Sequence, residues 1–214
     1  MHNRAVFHAL QEIDHLFATG YRKNCSEINS VIGEMIAFDE FLYFFFQSLI
    51  QGDSSPEMAG AQSYLVFLGK FFYARLNFWL PERAGLLISP QVDRYFSIGV
   101  LHNHSFDFFT AGLLGPGYRS TFFCVLDDIE RYRIGDTLPL ALDRRFQLNV
   151  GMALFVPKST IFHVQHYPES LSISLNFIPR KMDEIGALDN RQLLLDEKTH
   201  NIEHILYHPG IERG

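Results

Sequence analysis

Val100-Leu101-His102-Asn103-His104 and, further along, Gly151-Met152-Ala153-Leu154-Phe155-Val156-Pro157-Lys158-Ser159-Thr160-Ile161-Phe162-His163 are the stretches on which the reading of this chain turns. Side chains alternate across an extended strand, so two histidines two residues apart point to the same face. Val100, Phe106 and Phe108 share their parity, which favours an enclosed face. A polar pair on a solvated face is the alternative that the H-x-H spacing alone leaves open. On an enclosed face both imidazoles can reach one metal ion at about 2.1 Å. In the second stretch a glycine turn precedes an apolar run, a proline ends it, and a histidine follows on the next run.

Around these stretches lies a series of short β-like runs: Phe71–Leu80, Tyr95–His104, Phe106–Leu114, Ser120–Leu126, Phe146–Val150, Ala153–Val156, Ile161–Gln165 and Ser170–Ile178. Turn residues separate several of them, at Gly115-Pro116-Gly117, Gly135-Asp136, Asn149 with Gly151, and Tyr167-Pro168. Many short strands at close spacing predict a sandwich or barrel.

The flanks read differently. Val6, Leu10, Ile13, Leu16 and Phe17 recur at helical spacing, and Gly20 stops the run. A second helix is expected from Ser26 through Ile28, Val31, Ile32, Met35 and Ile36 toward Leu49, and a third from Pro56-Glu57 to about Gly69. Helical periodicity returns over 181–208. The expected organisation is an N-terminal helical region over 1–70, a β-barrel over 71–180 and a C-terminal helical tail over 181–214. The fold class is mainly β with helical additions (α+β).

Eighteen basic and twenty-four acidic residues give a formal charge of −6 over 214 residues. The basic residues are scattered singly, which argues against a nucleic-acid partner. Met1–Phe17 lacks the apolar run of a signal peptide. The stretch Phe38–Ile50 is too short for a bilayer and contains Asp39, Glu40 and Gln47. Cys25 and Cys124 form neither a C-x-x-C pair nor a disulfide framework, which suits a reducing compartment. A cytoplasmic protein without a membrane partner is expected. There is no P-loop, dinucleotide fingerprint or G-x-S-x-G.

The H-x-H at His102 and His104, with the G-x5-P run ending at Pro157 and the histidine at 163, resembles the paired motifs of the cupin superfamily. The resemblance spans about Phe71 to Pro179. It implies a double-stranded β-helix barrel holding a divalent metal on His102, His104 and His163, with Fe(II) expected and Zn, Mn or Ni as alternatives. Two positions depart from the pattern. Phe109 stands where the family carboxylate would fall, and Asp107 would need a bulge to ligate, so it is expected outside the barrel. Ser159 replaces the glycine expected after Pro157. Three neutral imidazoles leave the ion's charge uncompensated, which favours an anionic ligand.

Among cupins the all-histidine pattern is most similar to the thiol (cysteine) dioxygenases. Tyr73-Ala74-Arg75-Leu76-Asn77-Phe78-Trp79 resembles their strand whose arginine pairs with the substrate carboxylate, although Leu76 here separates arginine from asparagine. Ser170–Pro179 resembles their last barrel strand. Ser174 matches there, while Asn176 and Ile178 stand where a histidine and a tyrosine would fall. The fold resemblance extends that far, and cysteine oxidation itself is not carried over. Arg75 reads either as a carboxylate anchor or as a surface arginine with a packed stem. Asn176 reads as facing inward, toward a ligand or a buried backbone group. Tyr118 and Arg119 are expected at a barrel mouth, in a turn-end role.

His200-Asn201-Ile202-Glu203-His204 matches H-x-x-E-H, but it is read as part of a solvated terminal helix that His208 extends. His166 points across its strand from His163, and His8 and His15 share a helix face. The expected function is a metal-binding cupin acting as a non-haem Fe(II) oxygenase on O₂ and a small anionic substrate, with Phe108 and Phe109 lining the pocket. A metal-dependent sensor without turnover, and a metal-dependent isomerase or hydrolase, are the other readings. The helical region is expected either to cover a barrel mouth or to join two copies in a homodimer.

Overall fold

The short alternating runs form two antiparallel sheets in the structure, a computed structural model that describes residues 3–38, 41–43, 47, 62–82, 98–180 and 191–207. The strands are β1 (Ser63–Leu68), β2 (Phe72–Trp79), β3 (Leu101–His102), β4 (Phe108–Leu114), β5 (Arg119–Val125), β6 (Leu140–Gln147), β7 (Ala153–Val156), β8 (Ile161–Gln165), β9 (Ser172–Pro179), β10 (Arg191–Leu195) and β11 (Ile202–Tyr207). One sheet has the order β1-β2-β9-β4-β7 and the other β11-β10-β3-β8-β5-β6. From β2 to β9 the chain passes between sheets at nearly every connection. The orders β2-β9-β4-β7 and β3-β8-β5-β6 are those of a jelly roll, the double-stranded β-helix expected from the sequence.

The two faces of the first sheet carry opposite chemistry. Phe72, Ala74 and Leu76 of β2, Phe109 and Ala111 of β4, and Leu175 and Phe177 of β9 belong to one core with the N-terminal helices. Helix α1 (Asn3–Gly20) contributes Leu10, Ile13 and Phe17, and α2 (Cys25–Ile36) contributes Ile28, Ile32 and Met35, all at helical spacing. Each of these side chains contributes about 1.5–3 kcal/mol when fully buried. Asp14 of α1 accepts the Phe71 backbone N–H at 2.8 Å and pins the helix to the start of β2. The helices therefore cover the back of the first sheet, not a barrel mouth. With the apolar parity taken by the helices, the opposite parity turns Arg75, Asn77, Thr110, Ser172, Ser174 and Asn176 toward the lumen.

A second core packs Leu101, Phe162, Val164, Leu193, Leu195 and Ile202 behind the other sheet. Trp79, Ile98, Tyr118 and Leu148 close one end of the barrel, with the Trp79 and Tyr118 rings 4.2 Å apart. The turn before Tyr118 depends on glycine. Gly117 has φ +76°, and a Cβ there would overlap the Leu148 carbonyl.

Four expectations about secondary structure need correction. In the described part of the expected strand Tyr95–His104, only Leu101–His102 forms one, and His104 lies beyond it. Ser63–Leu68 is a strand paired with β2, not the end of a third helix; residues 56–61 lie outside the described residues. The charged strand β6 begins at Leu140, well before Phe146. It is a sheet edge, where exposed Asp143, Arg144 and Arg145 cost nothing and deter further pairing. The described part of the C-terminal tail is a β-hairpin, not a helix. β10 pairs with β3, and Asp196 draws the N–H groups of Lys198 and Thr199 into a turn that leaves His200 at φ +57°. His200 is thus in a turn against Phe123, and Glu203 and His204 are exposed neighbours on β11, so H-x-x-E-H has no helix to work from. Phe44–Phe46, the stretch toward Leu49, Tyr95–Phe96 and His208 lie outside the described residues. No described helix is long and apolar enough to cross a membrane.

Candidate metal centre

His102 ends β3 and is the direct cross-strand partner of His163 on β8. Opposed residues of an antiparallel pair share a face, so both rings enter the lumen. His104 lies two residues beyond the end of β3 and turns its ring to the same point. Its Nε2 is 3.0 Å from His163 Nε2, which is 3.2 Å from His102 Nε2. The three donor atoms all lie within 4.8 Å of one another, with His102 and His163 buried and His104 partly accessible.

This arrangement fits a divalent ion. Two imidazole nitrogens about 2.1 Å from one ion are about 3.0 Å apart at a right angle and about 3.4 Å apart at the tetrahedral angle. The observed spacings fall within that span. His102 Nδ1 lies 2.9 Å from the Val100 carbonyl. A carbonyl only accepts, so Nδ1 carries the proton and Nε2 presents its lone pair to the cluster. Lone pairs converging at this distance repel unless a proton or a cation stands among them.

The surroundings favour the neutral form of His102 and His163. Burial lowers the pKa of His102, and burial with the neighbouring His102 lowers that of His163 well below the usual value. Depressed folded pKa values mean that unfolding takes up protons between the folded values and the ordinary 6.5. The metal-free protein is therefore expected to keep its full stability above pH 6.5 and lose it as pH falls toward the folded values, by at most about 1.4 kcal/mol per pH unit for each histidine. Denaturant midpoints between about pH 5 and pH 8 would show this slope, and His163→Asn should flatten it. An unchanged slope in that variant would deny the buried neutral imidazoles.

Phe106 and Phe108 flank His104, with centroids 5.1 and 4.8 Å from its ring. Phe108, Phe122, Val156, Tyr118, Thr110 and His163 line a small lumen cavity with room for roughly one water molecule. Phe109, expected beside Phe108, belongs instead to the helix-covered core, against Phe17 and Phe155. Asp107 keeps its carboxylate out of the cluster, as the parity argument held; its partners are Tyr21, Arg22 and the Lys158 amide.

Arg75 sits on the lumen face with its guanidinium 5.8 Å from the rings of both Tyr73 and Phe106, the latter in contact with His104. Its Nε is enclosed without a hydrogen-bond partner, and burial lowers its pKa. Asn176 is in register with Arg75 on one side and Thr110 on the other, and its Oδ1 is likewise unpartnered. Asn77, two residues from Arg75, has a buried and unpartnered Nδ2 that the sequence reading passed over. Tyr118, expected in a turn-end role, is buried at the closed end of the lumen. The available signal was the alternation of polar residues along both β2 and β9.

No family model and no curated protein matches the chain. Among solved structures, DMSP lyases align at 12% or less, at 11% identity over 55% of this chain and 46% of that one, with a TM-score of 0.32. A cupin domain from Bordetella pertussis Tohama I aligns at 12% identity over 56% of this chain and 93% of that one, with a TM-score of 0.32. A hydroquinone 1,2-dioxygenase from Sphingomonas sp. TTNP3, with 4-hydroxybenzoate bound, aligns at 12% identity over 57% of this chain and 68% of that one, with a TM-score of 0.34. This chain thus spans less than half of the lyase chain. At such identities and scores the likenesses carry no argument, and the strand order does. By that order the chain has the double-stranded β-helix fold, with three histidines converging in its lumen.

Proposed function

We propose that His102, His104 and His163 hold one divalent metal, Fe(II), and that the protein is a non-haem oxygenase acting on a small anionic substrate. The convergence of three imidazoles, with an unpaired arginine one aromatic ring away, is the observation that carries this reading. When bound, the ion supplies Lewis acidity and open positions for O₂ and substrate. The chain's own residues do the rest. Val100 orients His102. Arg75 offers a guanidinium fork to a carboxylate. Asn176 and Asn77 present an acceptor and a donor along the same face. Phe108 and Phe122 leave room for about one water molecule beside His163.

A second reading, metal-dependent ligand binding without turnover, is favoured by one feature. Asn176 and Ile178 occupy the last-strand positions where the thiol dioxygenases carry histidine and tyrosine, so the lumen lacks their proton-handling pair. Anaerobic loading with Fe(II), followed by an O₂-uptake screen over small carboxylic acids and thiols, separates the two. About one iron per chain with substrate-dependent O₂ uptake is the expected result. Iron binding with ligand-induced stabilisation and no uptake would establish the second reading, and no iron binding would defeat both.

A further inference from the structure

Two of the three histidines are placed by the sheet itself, because His102 and His163 oppose each other across β3 and β8. His104 belongs to no strand, so something else must fix it. The Asp107 side chain, three residues on and almost wholly buried, binds two other segments. Its Oδ2 accepts from the Tyr21 hydroxyl at 2.6 Å and from Arg22 at 2.8 Å (Nε) and 2.7 Å (Nη2). Its Oδ1 accepts the Lys158 backbone N–H at 2.6 Å. The next amide, Ser159, donates to the His104 carbonyl at 3.0 Å, and Asn103 Nδ2 reaches the Ser159 carbonyl at 3.5 Å. Ser159 holds φ +63° to do so, the conformation a glycine would adopt freely.

We propose that Asp107 is a positioning residue for His104, and that the turn after α1 supports the metal centre through it. This rests on the reading of the three histidines as a metal site. Asp107 clamps the β7–β8 turn with one oxygen and the Tyr21–Arg22 turn with the other, and the clamped β7–β8 turn grips the backbone of His104. Burial and the Asp107 carboxylate push the Tyr21 hydroxyl up to about 12, so it donates throughout the neutral range. Arg22 stays charged beside it. The helical region thereby gains a role beyond covering the sheet.

Co(II) titration of the full chain tests this, because Co(II) absorption reports ligand number as well as affinity. Asp107→Asn is expected to weaken Co(II) about 10–100-fold, the range for loss of a group that orients a metal ligand. Tyr21→Phe, which removes one donor and keeps the ring, should weaken it a few-fold without threatening the fold. The Asp107→Asn/His104→Ala double variant should bind no more weakly than His104→Ala alone, since the clamp acts through that ring. Hydrogen exchange at the Ser159 amide should quicken in Asp107→Asn with or without metal. Wild-type affinity in both single variants, additive losses in the double variant, or unchanged Ser159 exchange would each overturn the positioning role while leaving the metal site standing. Failure of the wild type to bind Co(II) would overturn the metal reading and this proposal with it.

Discussion

Replacing His102 and His163 together with alanine is expected to abolish metal binding, with affinity falling more than about 10³-fold, while the barrel still folds. Two of the three converging nitrogens are lost, and a single partly accessible imidazole at His104 offers only a weak, adventitious contact. The consequence for stability follows from mass action. A metal present at about 1,000 times its dissociation constant stabilises the native state by about 4 kcal/mol, and none of that remains in the variant. The metal-free variant should differ less from the metal-free wild type. Removing two buried rings opens a cavity beside Phe108 and Phe122, but it also removes two groups whose neutral state costs stability below pH 6.5. Metal analysis and thermal melts with and without Fe(II), run on both proteins, are sufficient. If the double variant still carried about one metal per chain, or still melted higher with metal, the site would have to lie elsewhere.

How far the fold could be read from the sequence depended on which face of each strand met water. β4, β5, β7, β8 and β9 were legible because their apolar runs are bounded by turn residues. The H-x-H spacing pointed to two histidines in one lumen, as found, although only His102 stands on a strand and alternation does not place His104. β6 was misread because an edge strand needs no apolar run, and Leu140–Gln147 carries its charges on exposed positions. The C-terminal hairpin was misread because Gln192-Leu193-Leu194-Leu195 suits either helix or strand. The choice is made by partners distant in sequence: the β3 edge, with Leu193 N–H bonded to Asn103 Oδ1 at 2.7 Å. Asp107 was expected outside the barrel and its carboxylate lies outside the histidine cluster, but its partners Tyr21 and Arg22 stand 86 and 85 residues away, and no local pattern announces such a clamp. The lumen residues were partly hidden by an inversion. On the first sheet the apolar face looks outward to the helices, so the polar positions that usually mark a solvated face line the interior instead.

That inversion makes Arg75→Met the most informative substitution, because its two effects are expected to have opposite signs. The guanidinium has no charged partner among the described residues, its Nε is enclosed, and burial disfavours its charged form. The faces of Tyr73 and Phe106 recover about 0.5–2 kcal/mol of this. Methionine fills similar space without the unpaired charge, so the ligand-free variant should be about 1–2 kcal/mol more stable than the wild type. Binding of a small carboxylate should fall about 10–100-fold, because a charge-assisted pair with the guanidinium is lost and only the metal at the histidine cluster is left to attract the anion. Trp79 is the one tryptophan of the chain and stacks on Tyr118 at the closed end of the same lumen, so its fluorescence reports both unfolding and ligand entry. Urea midpoints and fluorescence titrations with a series of short-chain carboxylates measure the two quantities on one sample. A surface arginine with a packed stem predicts a different pair of results: stability within about 0.5 kcal/mol of wild type, and carboxylate affinity unchanged. Gain of stability together with loss of binding is the signature of a charge kept unpaired for a ligand, since natural sites commonly retain such unfavourable groups where function needs them. Loss of both would mean that Arg75 holds the lumen together, and the anion would then have to be recognised by the metal alone.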